Sequence, residues 1–157
     1  FEQHIELSLL RKKPLVIHTR NADSQTIEIL RSHYGNKNQD NGVIHCFTSD
    51  ISAAKTYIDL GFFISFSGII TFKTADDLRK TAQYIPLDRL LIETDCPLLT
   101  PAPFRGKRNE PTFLIHTAKI LAELKQVSLA ELQNITANNA LSLFHIQTDI
   151  HIKSDTV

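Results

Sequence analysis

The sequence predicts an α/β fold built on a parallel sheet, and three observations carry that prediction. Short continuous apolar runs, at Leu15–Ile17, Val43–Ile44, Phe62–Phe66 and Leu90–Ile92, alternate with segments of helical periodicity. Runs of this kind belong to strands covered on both faces. Their spacing is regular: His45 follows His18 by 27 residues, and Asp95 follows His45 by 50, two units of about 25. That interval fits consecutive βα units, four in all. Three of the runs lead directly into a group that can bind metal or move a proton: His18, His45 and the Glu93–Asp95 segment.

Taken in order, Phe1, Ile5 and Leu9 recur at helical spacing, with Leu7 and Leu10 widening the stripe, so a first helix is expected to bury that face. No capping residue precedes it, and the chain is expected to start inside a longer protein. After Arg11-Lys12-Lys13-Pro14 comes the first strand, then a helix over 22–34 carried by Ile27, Ile29 and Leu30, and a polar loop over 36–42. A helix near 51–60 carries Ala54, Tyr57, Ile58 and Leu60 and stops at Gly61. The strand Phe62–Phe66 and a helix over 75–84 follow, then the fourth strand and a loop marked by Pro97, Pro101, Pro103, Gly106 and Pro111. Helices over 112–125 and 128–145 close the fold, the second opened by the capping pair Ser128 and Glu131. One domain is expected over 1–147, with 148–157 as a tail.

Composition narrows the function classes. Lys plus Arg and Asp plus Glu are both 17 in 157 residues, so no general basic field exists and any nucleic-acid binding needs a local patch. A hydrophobic content of 42% excludes wholesale disorder. No apolar run approaches the roughly 20 residues of a membrane-spanning helix. Cys46 and Cys96 fit no disulfide framework, and a reducing, cytoplasmic compartment is expected.

In a parallel sheet the residues just after each strand share one rim, where βα barrels place their chemistry. His18, His45 and Asp95 occupy that place on different strands, and two imidazoles with a carboxylate suit a divalent metal. Asp95 is the expected proton acceptor for an attacking water and a metal ligand. Glu93, two residues earlier on the same face, is expected deeper, behind the ligands. Arg20, Arg105, Lys107 and Arg108 fall at the same rim and form a candidate phosphate-binding patch, with Asn109 and Glu110 bracing it and Gly106 freeing its backbone. Phe47, Phe72 and Phe104 are candidates for stacking on bases. Arg11, Lys12 and Lys13 belong to the opposite end, and His4, His33, His116, His145 and His151 are expected in solvent or packing roles. Cys46 is expected to point outward beneath a helix.

At these residues the chain resembles the TatD family of metal-dependent deoxyribonucleases. The matching stretches are LVIHTRNA (15–22), VIHCFT (43–48), FISFSGIITF (63–72), IPLDRLLIETDCP (85–97) and RGKRNEP (105–111), and FEQHI (1–5) is similar to the helix before the first of them. The resemblance implies a TIM-type (β/α)₈ barrel of amidohydrolase-like form, of which residues 1–147 are the C-terminal half. It implies a divalent ion (Mg, Zn or Mn) and hydrolysis of DNA, single-stranded or at 3′ ends. By position it makes His18 and His45 metal ligands and Asp95 the catalytic, metal-binding aspartate. Cys96 stands where the family usually has a small residue such as Ala. The family's N-terminal His-x-His pair and mid-chain bridging Glu have no counterpart here. The chain is therefore expected to need a missing N-terminal half, or self-association, to cover two sheet edges and an apolar inner face. Two other readings are a metal-dependent amidohydrolase acting on another substrate class and a catalytically inert half-barrel.

Overall fold

The computed structural model describes residues 1–34 and 40–147. The proposed tail, His151 and most of the polar loop before Gly42 lie outside the described residues. The element order is α1 (Glu2–Arg11), β1 (Leu15–His18), α2 (Asp23–Tyr34), β2 (Gly42–His45), α3 (Ile51–Asp59), β3 (Phe62–Phe66), α4 (Asp76–Tyr84), β4 (Leu90–Ile92), α5 (Leu114–Lys125) and α6 (Leu129–Phe144). Short 3₁₀ turns sit at Gly68–Thr71, Leu87–Arg89 and Pro111–Phe113. The last begins α5 as a separate turn, with Pro111 at its first position where a missing N–H costs nothing. Ser128 accepts from the Glu131 N–H, so the anticipated cap opens α6.

The four strands form one parallel sheet in the order β1-β2-β3-β4. Chain order and spatial order coincide, as successive βα units require. Alternation divides the sheet into two faces. Ile17, Ile44, Phe62, Ile64, Phe66 and Leu90 face the helices and join the main core with Leu30, Tyr57, Ala82, Leu121 and Leu132. Val43, Phe63 and Leu91 face the other way and meet Leu143 of α6.

Two expectations change here. The inner face is not a broad exposed apolar surface: Val43, Phe63 and Leu91 are buried, because Leu143 packs on them and the Arg89 guanidinium lies 5.0 Å from the Phe63 ring centre. Its exposed apolar position is Val16 on β1, at 60%. The broad apolar stripe of α1 is not buried either. Ile5 and Ser8 are covered, whereas Phe1, Leu7, Leu9 and Leu10 remain exposed, because α1 touches the rest of the molecule along one narrow line, where Ser8 bonds the Lys13 carbonyl and approaches Tyr34. Among the described residues no helix is long and apolar enough to cross a membrane.

Candidate metal centre

β1 and β2 end in step, with His18 paired to His45 in the register. Their rings stand with centroids 5.8 Å apart, tilted by 55°. β4 lies two strands from β2, a gap of about 9.6 Å at the usual strand spacing. The intervening strand makes the gap passable, since β3 offers only Ser65 at the corresponding level of the inner face, followed by Ser67. Longer side chains from either side meet above these hydroxyls. His45 Nδ1 lies 2.8 Å from Glu93 Oε1, and His45 Nε2 lies 3.4 Å from Asp95 Oδ1. One donor atom from each of His45, Glu93 and Asp95 falls within 4.8 Å of the others.

The cluster's hydrogen bonding identifies what it lacks. Glu93 Oε1 is buried, and its approach to His45 is not aligned as a hydrogen bond, so among the described residues the oxygen has no donor. A buried carboxylate oxygen without a partner is costly. A divalent cation satisfies it, and two carboxylates with an imidazole are an appropriate donor set for Zn, Mn or Mg. The residues present therefore fit a metal. The set differs from the one expected at the sequence level. Glu93 is part of the cluster, its Oε1 against His45 Nδ1, while Asp95 lies against Nε2 on the other side of the same ring. His18 stands beside the cluster, exposed, on the sheet's edge strand.

The backbone leaves three of the strands by the same device. Asn21, Cys46 and Asp95 take left-handed conformations with φ of 54°, 48° and 56°. Asn and Asp tolerate this region, but for Cys it costs on the order of 1 kcal/mol. The turn at Cys46 also corrects the expectation that its thiol points outward beneath a helix. The left-handed residue breaks the strand's alternation, and Sγ lies 3.3 Å from Ser67 Oγ beside the rim. Burial pushes the thiol's pKa up; the Ser67 contact partly offsets this, and the Glu93 and Asp95 charges add to it. A catalytic thiolate is disfavoured there.

The loop after β4 is tied down from within. Asn109 is buried, donates from Nδ2 to the Thr94 and Leu98 carbonyls at 2.7 and 2.6 Å, and accepts from the Glu110 N–H through Oδ1. Glu110 takes part through its backbone and is exposed. Thr100 Oγ1 donates to the Lys107 carbonyl at 2.5 Å, and Ala102 N–H donates to Thr71 Oγ1 at 2.8 Å. Gly68 lets the two segments approach, since a Cβ there would stand 2.2 Å from the Leu99 carbonyl oxygen. Gly106 serves the turn itself, with φ of 85° and open space around it. Arg20, Arg105, Lys107 and Arg108 are all exposed. Of the aromatic candidates, Phe47 belongs to the core, set edge-on against Tyr57 and Phe66. Phe72 lies under Arg105, and Phe104 stacks on Phe113 with centroids 4.6 Å apart. Sequence reasoning overlooked Ser65, Ser67 and Gly68. Their signal was small residues at the rim end of an otherwise aromatic strand.

The fold and rim define a class: an α/β protein of parallel βα units, with candidate metal ligands gathered at the carboxyl ends of its strands. Residues 1–145 match the family described as TatD related DNase, and the chain belongs to that family. It is 48% identical over 147 residues to the Escherichia coli K12 protein named uncharacterized metal-dependent hydrolase YcfH, covering 93% of this chain and 54% of that one. It is 42% identical over 146 residues to the Bacillus subtilis protein named uncharacterized metal-dependent hydrolase YabD, covering 93% and 56%. The crystal structure of YJJV, a TatD homolog from Escherichia coli K12, superposes with a TM-score of 0.85 at 27% identity, over 93% of this chain and 55% of that one. A hydrolase of the TatD family from Entamoeba histolytica superposes with a TM-score of 0.76 at 25% identity, over 90% and 54%. The chain thus spans about half the length of the curated relatives it matches.

Proposed function

We propose that this chain supplies the C-terminal half of a (β/α)₈ barrel whose divalent-metal centre hydrolyses DNA phosphodiester bonds. The observation that carries the reading is the His45–Glu93–Asp95 cluster with its unsatisfied Glu93 Oε1, which leads directly into the basic loop holding Arg105, Lys107 and Arg108. His45, Glu93 and Asp95 hold the ion, with His18 positioned to join them once the site is complete. When bound, the ion supplies Lewis-acid polarisation of a phosphoryl oxygen and a nucleophile at neutral pH. Asp95, partly exposed at the rim, accepts the proton of the attacking water. Arg20, Arg105, Lys107 and Arg108 neutralise the phosphates of the strand and hold it in register.

The open edge of β1 supports a need for completion. Among the described residues β1 pairs with β2 alone, and Phe1, His4, Leu15, Val16, Ile17, His18 and Thr26 line a groove of about 400 Å³. An N-terminal half-barrel is the partner this reading assigns to that edge, and a second copy of the chain is the alternative. The free thiols of Cys46 and Cys96 support a cytoplasmic setting. A metal-dependent amidohydrolase shares such a donor set, but four cations at the rim favour a phosphate over an amide. An inert half-barrel is separated by metal binding, since it would take up no Mn²⁺ or Zn²⁺ in a calorimetric titration.

The deciding measurement is metal-dependent release of mononucleotides from an end-labelled single strand by the completed protein, with hydrolysis of cyclic amides run beside it. Asp95→Asn is expected to lower the DNA reaction by about a hundredfold to ten-thousandfold. Asn accepts the left-handed conformation of residue 95, so the circular-dichroism spectrum stays unchanged. Undiminished turnover in Asp95→Asn would end the assignment.

A further inference from the structure

One carboxylate ties the segments that follow the two imidazoles, and the metal cluster does not use it. Asp23 opens α2, five residues after His18, and each of its oxygens accepts one hydroxyl proton. Tyr57 Oη donates to Oδ1 at 2.9 Å, and Ser49 Oγ donates to Oδ2 at 2.9 Å. Ser49 lies in the loop after β2, four residues beyond His45, and Tyr57 lies on α3. Both donors are fixed. The Phe47 N–H donates to the Ser65 carbonyl at 2.9 Å, which anchors the loop after β2 to β3. Tyr57 is fully buried and stands edge-on to Phe47, and burial with the Asp23 bond and charge keeps its hydroxyl protonated.

The β1 end has less to hold it. β1 pairs with β2 alone among the described residues, and His18 is exposed. The next residue, Thr19, has a buried hydroxyl with no partner among the described residues. The helix starts do not require the Ser49 bond, since Asp50 caps α3 by accepting from the Ala53 N–H at 2.8 Å. A carboxylate in the first turn of α2 does suit the helix dipole, so Asp23 has a structural role that the Ser49 bond lacks.

We infer that Asp23 is a positioning residue: by tying the segment after His18 to Ser49 and Tyr57, it holds the His18 imidazole beside the cluster, in place to join the ion held by His45, Glu93 and Asp95. The inference rests on the metal-centre reading and is independent of the substrate. Groups that orient a ligand change metal affinity by about tenfold to a hundredfold.

The test is a calorimetric titration of the completed protein with Mn²⁺, arranged as a double-mutant cycle. Ser49→Ala removes one bond and leaves the α2 carboxylate in place, and it should weaken Mn²⁺ binding about tenfold. Ser49→Thr keeps the hydroxyl and should retain wild-type affinity. Asp23→Asn offers one oxygen where two are needed, and its loss should equal or exceed that of Ser49→Ala. His18→Ala should weaken binding by itself. In that background Ser49→Ala should change the affinity less than about twofold, because the ligand it positions is gone. Circular dichroism confirms the fold of each variant. An equal factor in both backgrounds would show that the bond acts through the fold at large, and would overturn the positioning role. Unchanged affinity in Ser49→Ala and Asp23→Asn, or in His18→Ala, would overturn it as well. These failures leave the metal centre standing, whereas a wild-type protein that takes up no Mn²⁺ sinks the metal-centre reading itself and the inference with it.

Discussion

The two flanks of the sheet are built on opposite terms. On the β4 flank the rim loop is bonded to itself and to the turn after β3 through Asn109, Thr100 and Thr71, and α5 and α6 cover the strand. On the β1 flank the outermost strand carries an exposed Val16 and an exposed His18, and α1 leaves Phe1, Leu7 and Leu10 in solvent. Candidate ligands sit on both flanks, but those held by the braced one, Glu93 and Asp95, gather around His45, while His18 stands apart. The carboxylates that come within reach of His45 are thus the ones carried by the flank whose loop is hydrogen-bonded to itself.

The sharpest way to break this comparison is to truncate one β-branched side chain at the centre and one on the open flank. Ile64 is fully buried on β3, so Ile64→Ala should cost about 2–5 kcal/mol in chemical denaturation. Val16→Ala should stay within about 0.5 kcal/mol for the chain alone. A large loss at Val16 would show that β1 is covered in solution. Next in size is Gly68→Ala. The added Cβ would meet the Leu99 carbonyl, pushing the rim loop from the turn after β3, and should cost about 1–3 kcal/mol. A calorimetric titration should register weakened Mn²⁺ binding in the same variant, because Asp95 opens that loop.

The braced side also predicts a pH slope. Lys125 donates to the Gln83 carbonyl at 2.8 Å and to the Ile85 carbonyl, and burial pushes its pKa down to about 8 from 10.5. Between those values the unfolded chain binds more protons than the folded one, so stability rises with pH across that window and the gain is lost as pH falls through about 8. Tyr57 and Tyr34 act in the opposite sense. Burial raises both hydroxyls above 10, so their contribution holds below 10 and declines at higher pH. Urea midpoints should therefore climb from pH 8 toward 10 and turn over beyond it. Lys125→Met should flatten the rising limb.

Much of the architecture was legible because local pattern and global fold agree. Four apolar runs, regular spacing and the Ser128 cap translate directly into strands, βα units and a helix start. The rim was legible for the same reason, since a residue following a parallel strand has one place to go. Three features were not. The burial of α1 depends on what packs against it, and periodicity alone cannot say that Leu7 and Leu10 stay outside. The direction of Cys46 depends on a left-handed turn that overrides strand alternation. Glu93 meets His45 across β3, whose residue next to Ile44's partner Ile64 is the small Ser65, a fact about a neighbouring strand that no reading of Glu93's own segment contains.

That serine has a wider implication. Donors on β2 and β4 are separated by the full width of β3, so the distance between them follows the curvature of the sheet. Any change in the twist or tilt of the scaffold therefore moves these donors relative to one another, even where no donor residue is altered.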